Sequence, residues 1–152
     1  MDANRAGITA VIQKYQKDVE ILVKYLPWLE NNTGQKLSSN YEPEESQGRS
    51  LKVPVYDATL LNFIKTAQKT SFMNRNYVYT YSRKRLKNAQ DELALIEVTQ
   101  IMDMQVLGDI LSYYVMKGMT KSTVWTDGMQ NGVLYHVVKK MKELIEFWTI
   151  SM

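Results

Sequence analysis

The sequence predicts an all-α fold: a single-domain bundle of six or seven helices with one long mobile loop. Three observations carry that reading. Apolar residues recur at steps of three and four over long segments. Only 7 glycines and 3 prolines punctuate the 152 residues. No segment has an evident partner strand elsewhere in the chain.

The first helix is expected from the stripe Ile8, Val11, Ile12, Tyr15, Val19, Leu22, Leu26 and Leu29. Pro27 lacks an amide donor and disfavours helix at Leu26, so the helix stops or kinks at YLPWLE. Gly34 then offers a left-handed cap. Residues 31–56 are rich in Ser, Asn, Gln, Gly and Pro and are expected to form the mobile loop, with LKVPVY a short extended piece at its end. Asp57 is a good N-cap for DATLLNFIKTAQKT, which is expected to bury Leu60, Leu61, Ile64 and Ala67.

In SFMNRNYVYTYSRKRLKN the alternation of Tyr77, Tyr79 and Tyr81 suits a strand. Tyr77, Val78, Tyr81 and Arg85 also fit a helix, which is favoured because no partner strand is evident. Two helices follow, DELALIEVTQ and DMQVLGDILSYYVMK, the second capped by Asp103 and ended by Gly118. Thr120 or Ser122 caps a short helix around Val124 and Trp125, and Gly132 breaks the chain again. The last helix is expected to bury Leu134, Val137, Val138, Met141, Leu144, Ile145 and Trp148.

Composition limits the chemistry. The chain has no cysteine and one histidine, which removes disulfides, thiolate metal sites, cysteine nucleophiles and paired imidazoles. A 45% hydrophobic and 23% charged composition excludes wholesale disorder. Neither a signal-peptide pattern nor a run approaching ~18 apolar residues is present, so the expectation is a soluble, cytoplasmic protein without a membrane partner. No phosphate-binding glycine loop or nucleophile elbow occurs. The pairs Glu44/Glu45 and Asp91/Glu92 are sequence neighbours that point apart on a helix, so neither suggests an acid/base dyad. His136 shares a face with Lys139, Lys140 and Glu143 and is expected to be solvated. No catalytic residue, cofactor or metal site is expected.

The charge is unevenly placed. The formal net charge is +3. Residues 65–87 hold Lys65, Lys69, Arg75, Arg83, Lys84, Arg85 and Lys87 with no acid, whereas 88–127 hold six acids and two bases. The basic run is interleaved with Phe72, Tyr77, Tyr79 and Tyr81. Cations for phosphates and aromatics for bases are what a nucleic-acid surface needs. The plainer reading is a solvated helix end neutralised by the acidic block that follows, with Tyr77 and Tyr81 in the core. The candidate partner-binding residues are therefore Arg75, Tyr77, Tyr79, Tyr81, Arg83, Lys84, Arg85 and Lys87.

A second surface is YYVMKGMTKSTVWTDGMQNG, which has the outline of a helix-turn-helix. Its candidate DNA contacts are Lys117, Lys121, Ser122 and Thr123. Tyr114 is bulky where the helices must meet, and Asp127 would face phosphates. Trp125 is expected to anchor this segment against the last helix, near Met129 or Met141. Met104 is expected in the core; Met119 and Met129 are expected in an exposed apolar patch.

The stretch from YDATLLNFIKTAQKTSFMNRNYVYTYSR, through Asp103, Ile110 to Val115, Gly118 to Lys121, Trp125 and Asn131–Gly132, resembles a domain-of-unknown-function family. Its members are small helical proteins from anaerobic Gram-positive bacteria and their phages or conjugative elements. YLPWLE at 25–30 is similar to the family's opening. The resemblance implies a helical fold and a link to mobile elements, and no catalytic residues. The expected function is a non-enzymatic binding protein whose partner is a protein or nucleoprotein complex, with nucleic acid a possible direct contact. One version is an inhibitor of a nucleic-acid-guided defence nuclease. The alternative is a small DNA-binding regulator using residues 107–131.

Overall fold

The computed structural model describes residues 2–34, 38–41, 53–121 and 123–151. Eight α-helices are present among them: α1 (Asp2–Val23), α2 (Leu26–Asn32), α3 (Ala58–Gln68), α4 (Tyr77–Arg83), α5 (Ala89–Val98), α6 (Met104–Lys117), α7 (Thr123–Gln130) and α8 (Val133–Ser151). A 3₁₀ turn at Ile101–Asp103 leads into α6. The helical class is as expected. The count exceeds six or seven because Pro27 sits in the first turn of a separate short helix, α2, where a missing amide costs nothing.

The loop expected over 31–56 is corrected at both ends. Asn31 and Asn32 finish α2, and Gly34 takes φ +85° with its amide donating to the Met129 carbonyl at 3.0 Å. Strands β1 (Ser38–Tyr41) and β2 (Val53–Tyr56) pair antiparallel, Ser38 opposite Tyr56 and Tyr41 opposite Val53. The sequence alone offered only LKVPVY as extended, because a four-residue strand carries too short a pattern to recognise. The remainder of the expected loop, 35–37 and 42–52, lies outside the described residues.

Helices α6 and α8 form the centre. The outer elements α1, α2, α5 and α7 pack on α8, and α3, α4 and α7 on α6. Helix α6 is buried almost all round, as a central helix must be. One apolar cluster joins Tyr15, Val19 and Leu22 of α1, Leu60 and Phe63 of α3, Leu107 and Leu111 of α6, and Leu134, Val138 and Met141 of α8. Asp57 caps α3 as expected, its carboxylate accepting the Thr59 amide at 2.7 Å and that of Leu60 at 3.3 Å. Leu61 is only half-buried; Phe63, one turn before Ala67, takes the buried place instead. Leu144 and Trp148 are likewise half-buried, in the C-terminal half of the α8 stripe.

One further expectation is corrected. Met129 is fully buried, and only Met119 of that pair is exposed. Trp125 packs on the end of α6. Its indole nitrogen donates to the Val115 carbonyl at 3.2 Å, and its ring covers Gly118 so closely that a Cβ there would lie 2.1 Å from it. Among the described residues no helix is long and apolar enough to cross a membrane.

Candidate nucleic-acid interface and the adjoining tyrosine cleft

Helix α4 settles the strand-or-helix question for Tyr77–Tyr81 in favour of helix. Helical spacing places Tyr77 and Tyr81 on one side and Tyr79 on another. Tyr79 is 64% exposed. Tyr77 and Tyr81 turn toward α6, where they meet Tyr113: the Tyr81 and Tyr113 rings stack at 4.8 Å, and Tyr77 sits edge-on to both at 6.2 and 5.9 Å. Tyr114 joins edge-on to Tyr113 at 5.0 Å.

A polar seam holds α4 in place. Asp109 of α6 is buried and accepts three hydrogen bonds: from Thr80 Oγ1 at 2.6 Å, Asn74 Nδ2 at 2.8 Å and Gln105 Nε2 at 2.9 Å. Ser112 accepts the Asn74 amide at 3.0 Å. Gly108 lets Phe72 lie against the α6 backbone, where a Cβ would come within 2.7 Å of the ring. Phe72 in turn stacks on Tyr15 at 4.5 Å. The segment 72–80 is thus fixed to α6 by Phe72, Asn74 and Thr80, and not by its cations.

Helix α4 ends in a turn that presents the cations. The Leu86 amide donates to the Tyr81 carbonyl at 3.0 Å, and the Arg85 amide to that of Ser82 at 3.2 Å. This is the Schellman pattern, which places Arg85 in the left-handed slot where glycine is usual. Arg85 has φ +55° and is the one non-glycine with positive φ among the described residues. Arg83, Lys84, Arg85 and Lys87 are all exposed, and none makes an ion pair with a described residue. Arg75 is exposed as well, at the opposite end of α4.

Beside this turn lies a cleft of about 590 Å³ between α4, α5, α6 and α7. Tyr81, Tyr113, Tyr114 and Leu86 give it flat apolar surface; Glu92, Asp127 and Asn131 give it polar groups; Lys87 stands on its edge. Glu92 is only 4% exposed. Its carboxylate accepts hydrogen bonds from the Tyr114 hydroxyl at 2.6 Å and from the Tyr81 hydroxyl. Asn131 donates to the Tyr114 oxygen at 3.1 Å and accepts the Val133 amide at 2.9 Å. Burial raises the Glu92 carboxyl above the usual 4.5 against the lowering effect of the two hydroxyls. Burial, reinforced by that carboxylate, raises Tyr81 and Tyr114 above the ordinary phenol.

The sequence missed Glu92, Asp109, Tyr113, Tyr114 and Asn131 as site residues. A signal existed for two of them. Glu92 and Ile96 are four apart on the buried face of α5, so a carboxylate occupies a core position. Gln105, Asp109 and Ser112 form a polar stripe through an otherwise apolar helix.

The helix-turn-helix candidates fare differently. Lys117, Lys121 and Thr123 are exposed, and Ser122 lies outside the described residues. The bulk of Tyr114 is accommodated by Gly128, where a Cβ would come within 2.8 Å of its ring. The exposed face of α7 carries Thr123, Asp127 and Gln130. His136 is exposed as expected; desolvation, then Lys139, lowers its pKa. Among the described residues no group of three or more histidine, aspartate or glutamate side chains is placed to hold a metal ion. No family model, curated protein or solved structure matches this chain.

Proposed function

We propose that the chain is a non-enzymatic binding protein that engages a nucleoprotein complex through the basic turn between α4 and α5. One observation carries the reading: the acidic block after the turn does not neutralise it. The Asp91 carboxylate accepts the Lys87 backbone amide at 2.9 Å, while the Asn88 side chain caps α5 by accepting the Asp91 amide. Glu92 is buried on tyrosine hydroxyls and Asp109 on Thr80, Asn74 and Gln105. Four cations therefore face solvent on a rigid turn with their charge unspent, as phosphate recognition requires. The resemblance to mobile-element proteins adds a concrete version, in which the partner is a host nucleic-acid-guided nuclease. The regulator reading is less favoured, because Asp127 sits on the exposed face that α7 would offer to DNA.

The test is capture of partners from host lysate by the full chain, with and without nuclease, alongside Arg83→Glu/Lys84→Glu/Arg85→Glu/Lys87→Glu. The variant should lose the captured complex while its thermal midpoint barely moves, since exposed charges contribute little to stability. Affinity for the purified complex should fall steeply with salt as counterions are released. Undiminished capture by the variant, or a flat salt dependence, would overturn the reading.

A further inference from the structure

We propose that the tyrosine cleft is a nucleotide site, taking a guanine base inside and its phosphate on Lys87 and Arg85. The inference deepens the reading above and rests on it for the anionic half of the ligand. The cleft's volume, about 590 Å³, lies in the range of small-molecule sites. Its tyrosine and leucine walls suit a flat ring, because every base has a π-face to lay on an aromatic.

Hydrogen-bonding capacity selects the base. The hydroxyls of Tyr81 and Tyr114 are already donated to Glu92, and the Asn131 amide to Tyr114. Of the groups that line the cleft, the Glu92 and Asp127 carboxylates can only accept, while the Tyr113 hydroxyl and the Asn88 and Gln130 amides can donate to a carbonyl such as the guanine oxygen. Guanine presents two adjacent donors, the ring N1–H and the exocyclic amine, which a carboxylate receives as a pair. Adenine, cytosine and uracil each put an acceptor beside a donor and would oppose it to a carboxylate.

Charge selects the tail. An organic cation would also suit tyrosines and a carboxylate. It would then meet Lys87 on the cleft's edge, and Arg85 in the adjoining hollow shared by Tyr81, Leu86 and Lys87. A neutral ring with an anionic tail meets the complementary charge at each end.

Calorimetric titration of the full chain with guanosine 5′-monophosphate, adenosine 5′-monophosphate and inorganic phosphate tests the proposal. The guanine nucleotide should bind at least about tenfold tighter than the adenine nucleotide, the discrimination expected of one paired base contact. A single-stranded oligoadenylate carrying one guanosine tests the source. Tighter binding of that strand than of the free nucleotide means a strand is the ligand; equal binding means a free nucleotide. Glu92→Gln should abolish the preference. As that substitution is buried, Asp127→Asn at the exposed face serves beside it and should lower the preference severalfold at an unchanged melting temperature. Equal binding of both nucleotides, absence of saturation, or a preference that survives both variants would overturn the site. An oligonucleotide that binds through the basic turn without regard to guanine removes the cleft proposal alone. Guanine binding beside undiminished partner capture by the charge-reversed variant removes the surface reading alone.

Discussion

The Tyr114 hydroxyl donates to the Glu92 carboxylate at 2.6 Å, and that carboxylate has no cation within ion-pair distance among the described residues. A buried carboxylate held by neutral hydroxyls is a weaker acid than one in water, because losing the proton places an uncompensated charge in a poor solvent. Folding therefore binds the Glu92 proton more tightly than the unfolded chain does. The contribution of this group is fully present below pH 4.5, the ordinary value, and is lost as pH rises from there through the raised folded value. Glu92→Gln has no proton to lose. Its stability relative to the native chain should improve as pH rises above 4.5 in urea titrations, until the raised folded value is passed; a gap independent of pH would show that Glu92 titrates normally.

Gly118 and Trp125 give a prediction about packing. A methyl at 118 would lie 2.1 Å from two atoms of the indole, so the ring must move. Moving it breaks the indole bond to the Val115 carbonyl. Gly118→Ala should cost about 1–3 kcal/mol, as overpacking does. In a Trp125→Ala background the obstacle is gone, and the same change should be nearly neutral, since alanine suits a helix end with φ −64°. Additive costs in the double-mutant cycle would contradict this contact.

How much of this was legible in the sequence follows from the physics of each element. The stripes of α1 and α8 are long, and their periodicity placed Tyr15, Val19, Leu22, Val137, Val138 and Met141 correctly in the core. The Asp57 cap was readable because capping is local. The basic turn was readable as composition, but its exposure was not. That depended on where Asp91, Glu92 and Asp109 point, which only tertiary packing decides. The cleft was illegible for the same reason. Tyr81, Glu92, Tyr114 and Asn131 come from four separate elements, and no spacing in the chain relates them. The seat of the Trp125 ring on Gly118 was illegible, because that glycine reads from sequence only as a stop.

Asp109 is predicted to hold the interface in place rather than to touch a partner. Removing it leaves the buried Thr80 hydroxyl and the half-buried Asn74 amide without their acceptor, while Gln105 keeps the Phe72 carbonyl at 3.2 Å. Asp109→Ala should cost about 3 kcal/mol or more, since each stranded group loses roughly 1–3 kcal/mol. Asp109→Asn keeps an oxygen for two of the donors, and the Thr80 hydroxyl can turn to accept, so it should be milder. Native-state hydrogen exchange should show α4 loosening before α8 in the alanine variant. Uniform loss of protection across the bundle would instead make Asp109 a general core residue.

Arg85 separates stability from binding most cleanly. Its left-handed backbone costs a side-chain-bearing residue about 1 kcal/mol or more, a penalty glycine does not incur. The two amide bonds that close the turn, to the Tyr81 and Ser82 carbonyls, involve backbone alone and survive any side chain. Glycine at 85 is therefore expected to raise the folding free energy, by up to about 1 kcal/mol in urea unfolding. The same change deletes a guanidinium that projects from the turn beside Lys87. If the turn binds phosphate, Arg85→Gly should weaken partner affinity and lower the salt slope by about 0.7–0.9, the share of one phosphate contact. Arg85→Lys keeps the charge and the strained backbone, and should restore most of the affinity with none of the stability. A glycine variant that is both more stable and fully competent in binding would show that the arginine serves neither purpose, and the phosphate reading of the turn would fall with it.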